Sequence, residues 1–243
     1  MRDYKAEFDA RTDYIRSVVS TAGADGIVYG NSGGKDSALT GILCKAACDD
    51  TLGIIMPCGS GRNYTIDAED AMKVADQYGI ETRTVDLSPV REAELLVIRN
   101  ECRINERVRI NIAPRLRMLT LYSFAAAENR LVAGTGNRSE AYMGYFTKWG
   151  DGAHDFNPIS DLTVTEIYEF LRWLKAPEFL LEKAPSAGLF DTQTDEEEMG
   201  VTYAAIDEFL LHGRVSERDG EIIERFHRRS LHKLRPISTF ENP

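Results

Sequence analysis

Residues 26–47 restrict the fold more than any other stretch. Gly26-Ile-Val-Tyr-Gly30 is a short unbroken apolar run, Gly30-Asn31-Ser32-Gly33-Gly34-Lys35-Asp36-Ser37 is a glycine-rich loop, and from Asp36 onward Leu39, Ile42, Leu43, Ala46 and Ala47 fall on one helical face. An apolar run without alternation belongs to a strand covered on both faces, as in parallel sheets. A loop of this kind between a buried strand and a helix turns backbone N–H groups and the helix N-terminus towards one point, which makes an anion site. It is not a Walker A loop. Counting from Gly30, the position that needs glycine holds Lys35 and the one that needs lysine holds Asp36, and GxGxxG does not fit either. An aspartate at the mouth of a phosphate cradle repels its ligand unless a divalent cation lies between them, so Asp36 reads as a Mg²⁺ ligand.

The same alternation extends to both sides. Phe8, Tyr14, Ile15, Val18 and Val19 form a helical stripe that stops at Gly23. Leu52 to Met56 is a second buried strand before Pro57. A helix from Asp67 to Tyr78 turns Ala68, Ala71, Met72 and Ala75 inward and closes at Gly79, and Thr82 to Leu87 is a third strand. Between Ser88 and Asn129 the pattern is helical only, which gives the chain room to travel back before a fourth strand, Arg130 to Ala133, runs into Gly134-Thr135-Gly136-Asn137. This order predicts an α/β fold, a doubly wound parallel sheet flanked by helices in a flavodoxin- or Rossmann-like three-layer architecture. If the fourth strand lies beside the first, the order reverses between them, and ligands bind in the crevice at such a switch point. A helical C-terminal extension follows, with capping boxes at Thr163-x-x-Glu166 and Thr194-x-x-Glu197 and a basic last helix ending near Pro236. The acidic run Asp195 to Glu198 reads as first-turn carboxylates complementing a helix dipole.

With 243 residues the chain fits one large α/β domain. A net charge of -10 argues against a surface devoted to nucleic acid or anionic lipid, so a polyanionic ligand must meet a local basic site. Arg225, His227, Arg228, Arg229, His232, Lys233 and Arg235 form a cluster of this kind, which on its own reads as a solvated helix face. Cys44, Cys48, Cys58 and Cys102 have no CxxC spacing, which points to buried thiols in a reduced, cytoplasmic protein. No apolar leader precedes the first helix, and no run has the length of a membrane span.

The form Ser-Gly-Gly-x-Asp-Ser resembles the pyrophosphate loop of the ATP pyrophosphatases, which cleave ATP between its α- and β-phosphates while adenylating a substrate. A second block, Gly134-Thr-Gly-Asn-Arg-Ser-Glu140 with Gly144-Tyr-Phe-Thr-Lys-Trp-Gly-Asp-Gly152 and Asp155-Phe-Asn-Pro158, resembles the ammonia-dependent NAD synthetases. The resemblance runs from the first helix to the basic C-terminal helix. It implies ATP held by Gly30 to Ser37, Thr135 and Ser186, Mg²⁺ held by Asp36 and Glu140, and deamido-NAD held by Arg115, Lys148, Asp155, His232 and Lys233. It also implies a homodimer. The family usually has a lysine on the ATP phosphates where this chain has Val164, which leaves Lys35 as the residue placed to supply that charge; Pro114 stands where an alanine is common.

The implied reaction has two steps: the nicotinate carboxylate of deamido-NAD attacks the α-phosphorus of ATP and releases pyrophosphate, and ammonia then displaces AMP. Neither step needs a protein nucleophile, in keeping with a candidate site rich in Asp, Glu, Lys and Arg. Asp155 is the candidate base or ammonium holder. Relatives that use glutamine carry an extra amidase domain, and a first strand beginning by Gly26 leaves no room for one ahead of it. Two alternatives stay open at this level: a pyrophosphatase that adenylates a tRNA base, with catalytic cysteines, and a non-catalytic nucleotide-binding module.

Overall fold

The computed structural model describes residues 2–59, 65–182 and 195–240. Helix α1 (Tyr4–Ala22) leads into strand β1 (Gly26–Gly30), helix α2 (Lys35–Ala47) and strand β2 (Thr51–Ile55), followed by α3 (Ile66–Tyr78), β3 (Glu81–Thr84), α4 (Ser88–Ile98), α5 (Glu106–Glu128) and β4 (Arg130–Ala133). The four strands form a parallel sheet in the order β3-β2-β1-β4. The order therefore reverses between β1 and β4, as the switch-point argument requires.

Both faces of the sheet are covered. Ile27 and Tyr29 of β1 pack with Ile15 of α1, Leu39 and Leu43 of α2 and Val74 of α3. Val28 points the other way, into a second cluster with Leu52, Ile54, Val132 and Ala125 of α5. Alternate residues of one strand thus serve opposite cores, and that is why β1 carries no polar face. The start of β4 is tied to the start of β1 by Asn129, whose Nδ2 donates to the Gly23 carbonyl and Asp25 Oδ2, each at 3.0 Å.

Four details differ from the sequence reading. Strand β3 ends at Thr84 rather than Leu87, because its neighbour β2 ends at Ile55 and Pro57 brings no N–H to extend the ladder. On α3 the inward face is Asp67, Asp70, Ala71, Val74 and Ala75, and Met72, one step off that stripe, is exposed. Tyr14 and Ala46 are likewise exposed on their helices. The helical stretch from Ser88 is two helices with a break, and Pro114 lies inside α5, buried against Gly150.

Beyond the sheet come α6 (Arg138–Met143), α7 (Val164–Trp173), α8 (Glu178–Glu182), α9 (Asp195–Met199), α10 (Tyr203–His212) and α11 (Glu217–Leu234). The Thr163–Glu166 capping box is formed at α7; the Thr194 box lies outside the described residues. Val164, Met143, Tyr203, Ile206 and Ile223 make a third apolar cluster that docks α6, α7, α10 and α11 beside the sheet's C-terminal edge. Cys44 and Cys58 are buried thiols, Cys48 is half-buried, and Cys102 is exposed. No helix among the described residues is long and apolar enough to cross a membrane.

Candidate active site

A cavity of about 890 Å³ opens at the C-terminal ends of β1 and β4. One wall is the loop from Gly30 to Ser37. Gly33 has φ +71°, and a Cβ there would lie 2.2 Å from the Asp67 backbone oxygen, so only glycine lets the loop rest against α3. The loop braces itself. Ser37 Oγ accepts from the Ser32 N–H at 3.3 Å and donates to the Gly34 carbonyl at 3.0 Å, while Asn31 Nδ2 donates to the Ala71 carbonyl at 3.2 Å.

The opposite wall is Gly134 to Asn137 and the start of α6. Asn137 is fully buried and caps α6: its Oδ1 accepts from the Glu140 N–H at 2.9 Å, and its own N–H donates to Glu140 Oε2 at 3.2 Å. Its Nδ2 reaches across the crevice to Asp36 Oδ1 at 3.1 Å. One amide therefore joins the carboxylates of the two loops. Lys35, 7% exposed, donates from Nζ to Asp36 Oδ2 at 2.8 Å and lies within 6 Å of the Tyr168 and Tyr203 rings. Burial, and after it the charge of Asp36, raises the Glu140 carboxyl well above the usual carboxylate range. Burial works against a charged Lys35, but Asp36 and Glu140 outweigh it and hold the ammonium protonated above its ordinary range. Among the described residues no three His, Cys, Asp or Glu side chains converge as a self-sufficient metal site. A cation bound by Asp36 and Glu140 must complete its shell with ligand oxygens and water.

A family model described as NAD synthase matches residues 7–237. The chain belongs to this family. It is 44% identical over 236 residues, 96% of each chain, to the NH₃-dependent NAD⁺ synthetase of Carboxydothermus hydrogenoformans. Among solved structures, the NMN synthetase of Francisella tularensis superposes with a TM-score of 0.94 at 37% identity, covering 100% of both chains. The NH₃-dependent NAD synthetase of Campylobacter jejuni, solved with nitrate, superposes with a TM-score of 0.80 at 28% identity, covering 99% of this chain and 100% of the other. Like the rest of the NAD synthase family, the chain is a ligase.

Within this NAD synthase fold the candidate residues fall into three places. Loop 30–37, Thr135 and Glu140 gather around the cavity head. Lys233 lines the far end, its Nζ donating to the Gly144 and Phe146 carbonyls, each at 2.7 Å. Arg115, Lys148 and His232 form a chain just outside that end: Arg115 Nη2 donates to the Lys148 carbonyl at 3.4 Å and Lys148 Nζ to the His232 carbonyl at 2.8 Å. Of the basic cluster, Arg229 and Lys233 reach the cavity wall. Asp155 stands apart from the wall. Its Oδ2 accepts from the Val132 N–H at 2.8 Å and its Oδ1 from the Tyr122 hydroxyl at 3.2 Å, so it holds the end of β4 to α5. Ser186 lies outside the described residues.

Several cavity residues carry no local sequence signal. Asp195 is buried and faces Glu140, and Glu198 accepts from the Tyr145 hydroxyl at 2.6 Å. The acidic run is thus part of the cavity wall as well as a helix start. Tyr168 and Tyr203 come from α7 and α10, and nothing near either in sequence connects it to Lys35. His154 covers Gly134, where a Cβ would lie 2.6 Å from its ring. The His154 Nδ1 is buried without a partner among the described residues, and burial lowers the ring's basicity. Val164, where the family resemblance puts a lysine, is 4% exposed in the third apolar cluster.

Proposed function

We propose that this NAD synthase-family ligase amidates deamido-NAD with ammonia at the expense of ATP, giving NAD, AMP and pyrophosphate. The reading rests on one observation above the others: the Gly30–Ser37 loop and the Thr135–Glu140 segment face each other across the switch point, with Asp36 and Glu140 joined through Asn137. The donor set fits Mg²⁺, which takes one or two carboxylates and otherwise phosphate and water oxygens. Asp36 and Glu140 would hold the ion, which would supply neutralisation of phosphate charge and so a better pyrophosphate leaving group.

The loop N–H groups and the start of α2 hold the β- and γ-phosphates, and Lys35, Thr135 and Ser186 add ATP contacts. A bond forms between the nicotinate carboxylate oxygen and the α-phosphorus, and the Pα–O–Pβ bond breaks, its electron pair leaving with pyrophosphate. Ammonia nitrogen then bonds to the acyl carbon, AMP departs with the C–O electron pair, and one proton is released. Arg115, Lys148, His232 and Lys233 hold the dinucleotide at the far end. Asp155 is the candidate acceptor of the ammonium proton. Catalysis here is positioning and charge stabilisation without a protein nucleophile. The cavity wall includes none of the four cysteines, which favours this reading over a thiolation enzyme. The protein works in the cytoplasm with free ammonia and as a homodimer; exposed Leu96, Val97 and Leu119 on the α4–α5 pair supply apolar surface for an interface.

A second reading has its own support. The superposition on the NMN synthetase, 0.94, exceeds that on the Campylobacter NAD synthetase, 0.80, which favours a shorter acceptor, nicotinate mononucleotide. One experiment separates them: the protein with ATP, Mg²⁺ and ammonium is given either acceptor, and AMP and amidated product are followed. Turnover of deamido-NAD at a higher kcat/KM supports the first reading, and preference for the mononucleotide replaces it with the second. AMP without amide from either acceptor would refute both.

A further inference from the structure

Lys35 is placed for more than contact with phosphate. Its ammonium is almost wholly buried, 2.8 Å from Asp36 Oδ2, and the two nearest aromatic faces, Tyr168 at 5.9 Å and Tyr203 at 5.8 Å, belong to other helices. Asp36 Oδ1 is already taken by Asn137 Nδ2, and Glu140 Oε2 by the Asn137 N–H. Asp36 Oδ2, the oxygen that Asn137 does not use, faces Lys35. Mg²⁺ or Mn²⁺ would have to approach Asp36 Oδ2 to about 2.0–2.1 Å, into space the ammonium occupies and against its charge. A free divalent ion brings no anion to receive the displaced lysine. A nucleotide-bound ion does, because its phosphate oxygens lie beside the metal and accept from an ammonium.

We propose that Lys35 is a built-in counter-ion that keeps Asp36 and Glu140 closed to free divalent metal and yields them only to metal arriving with nucleotide. The inference rests on the reading of Asp36 and Glu140 as the metal ligands. Tyr168 and Tyr203 hold the ammonium in place, so it does not swing out to solvent while the site waits. Metal and nucleotide consequently enter as one ligand, and the resting site does not fill with whichever divalent ion is abundant.

Mn²⁺ is the probe, read by electron paramagnetic resonance as loss of the free-ion signal and by calorimetry. Without nucleotide, the wild-type protein binds Mn²⁺ weakly, and Lys35→Met binds one Mn²⁺ at least about tenfold more tightly, since an opposing unit charge a few ångströms away is removed. Lys35→Arg keeps the counter-ion and stays closed, and the Lys35→Met/Asp36→Asn double variant loses the gain. Circular dichroism and melting confirm that the variants are folded. Equal Mn²⁺ affinity in wild type and Lys35→Met overturns the proposal. The underlying metal reading is checked separately with MnATP. If Asp36→Asn leaves MnATP binding unchanged, the metal reading itself falls, whereas an Asp36-dependent MnATP complex without a Lys35→Met gain removes only the counter-ion.

Discussion

Replacing Asn137 tests whether a single buried amide holds the two halves of the site together. Its side chain does two separable jobs: Oδ1 caps α6 through the Glu140 N–H, and Nδ2 donates to the Asp36 carboxylate. Losing an N-cap acceptor costs about 1 kcal/mol. Losing a hydrogen bond to a charged partner costs about 1.5–3 kcal/mol. Asn137→Ala removes both and is expected to lose about 2.5–4 kcal/mol. At roughly 2–4 °C per kcal/mol for a chain of this size, its melting temperature falls by about 5–15 °C. Asn137→Ser keeps a capping oxygen but cannot reach Asp36, so it recovers about 1 kcal/mol of the loss. Urea unfolding of the three proteins gives the two differences, and both variants should raise the KM for ATP because Asp36 and Glu140 lose their shared alignment. If alanine and serine are equally unstable, the cap contributes nothing. If both lie within about 0.5 kcal/mol of wild type, the bridge between the loops is not what holds the crevice.

Gly33→Ala forces a left-handed residue and a Cβ 2.2 Å from the Asp67 oxygen, so ATP affinity measured by calorimetry falls more than about tenfold in a protein that still folds; a change under about twofold refutes the loop assignment. Lys35→Ala raises the KM for ATP, and unchanged KM and turnover remove Lys35 from phosphate binding. Asp155→Asn weakens the Val132 and Tyr122 hydrogen bonds and destabilises by about 1–3 kcal/mol in urea unfolding. Normal turnover at saturating ammonia, with only deamido-NAD affinity reduced, would end its candidacy as the base. Although burial opposes it, Arg11 and then Arg2 hold the Asp161 carboxyl below its ordinary value. A lowered carboxyl stabilises above its unfolded value, about 3.9, and that contribution is lost as pH falls through the folded value. Asp161→Asn is therefore less stable at pH 7, by no more than about 1 kcal/mol for a half-exposed group, and melting curves converge with wild type below pH 4.

The sheet was legible because its signals are local. A short, largely apolar run before a turn marks a strand with two covered faces, and the runs at β1, β2 and β4 lie within one residue of the boundaries found. The sequence makes β3 too long because its end depends on Pro57, two residues beyond the end of β2. Periodicity makes helical faces too wide at Tyr14, Ala46 and Met72, where an apolar residue adjoins the buried stripe without belonging to it. The loop and the Thr135–Glu140 segment were likewise visible, since phosphate binding needs particular backbone conformations and so particular residues in a row.

What the sequence hid is the environment of those residues, which depends on pairs far apart in the chain. Tyr168 and Tyr203 look like ordinary positions in amphipathic helices, and Asp195 like a carboxylate at a helix start. Together they turn a loop lysine into a buried ammonium between carboxylates and rings. The same applies to Asp155: its segment stands in the second motif block, and its two oxygens each accept a hydrogen bond, from the Val132 N–H and the Tyr122 hydroxyl. A motif fixes which residues stand in a row, and the packing of distant helices decides which of them keep a free oxygen or a mobile charge for a ligand. In this chain Asn137 is where the two levels meet, because one residue closes a local helix cap and also reaches the carboxylate 101 positions earlier.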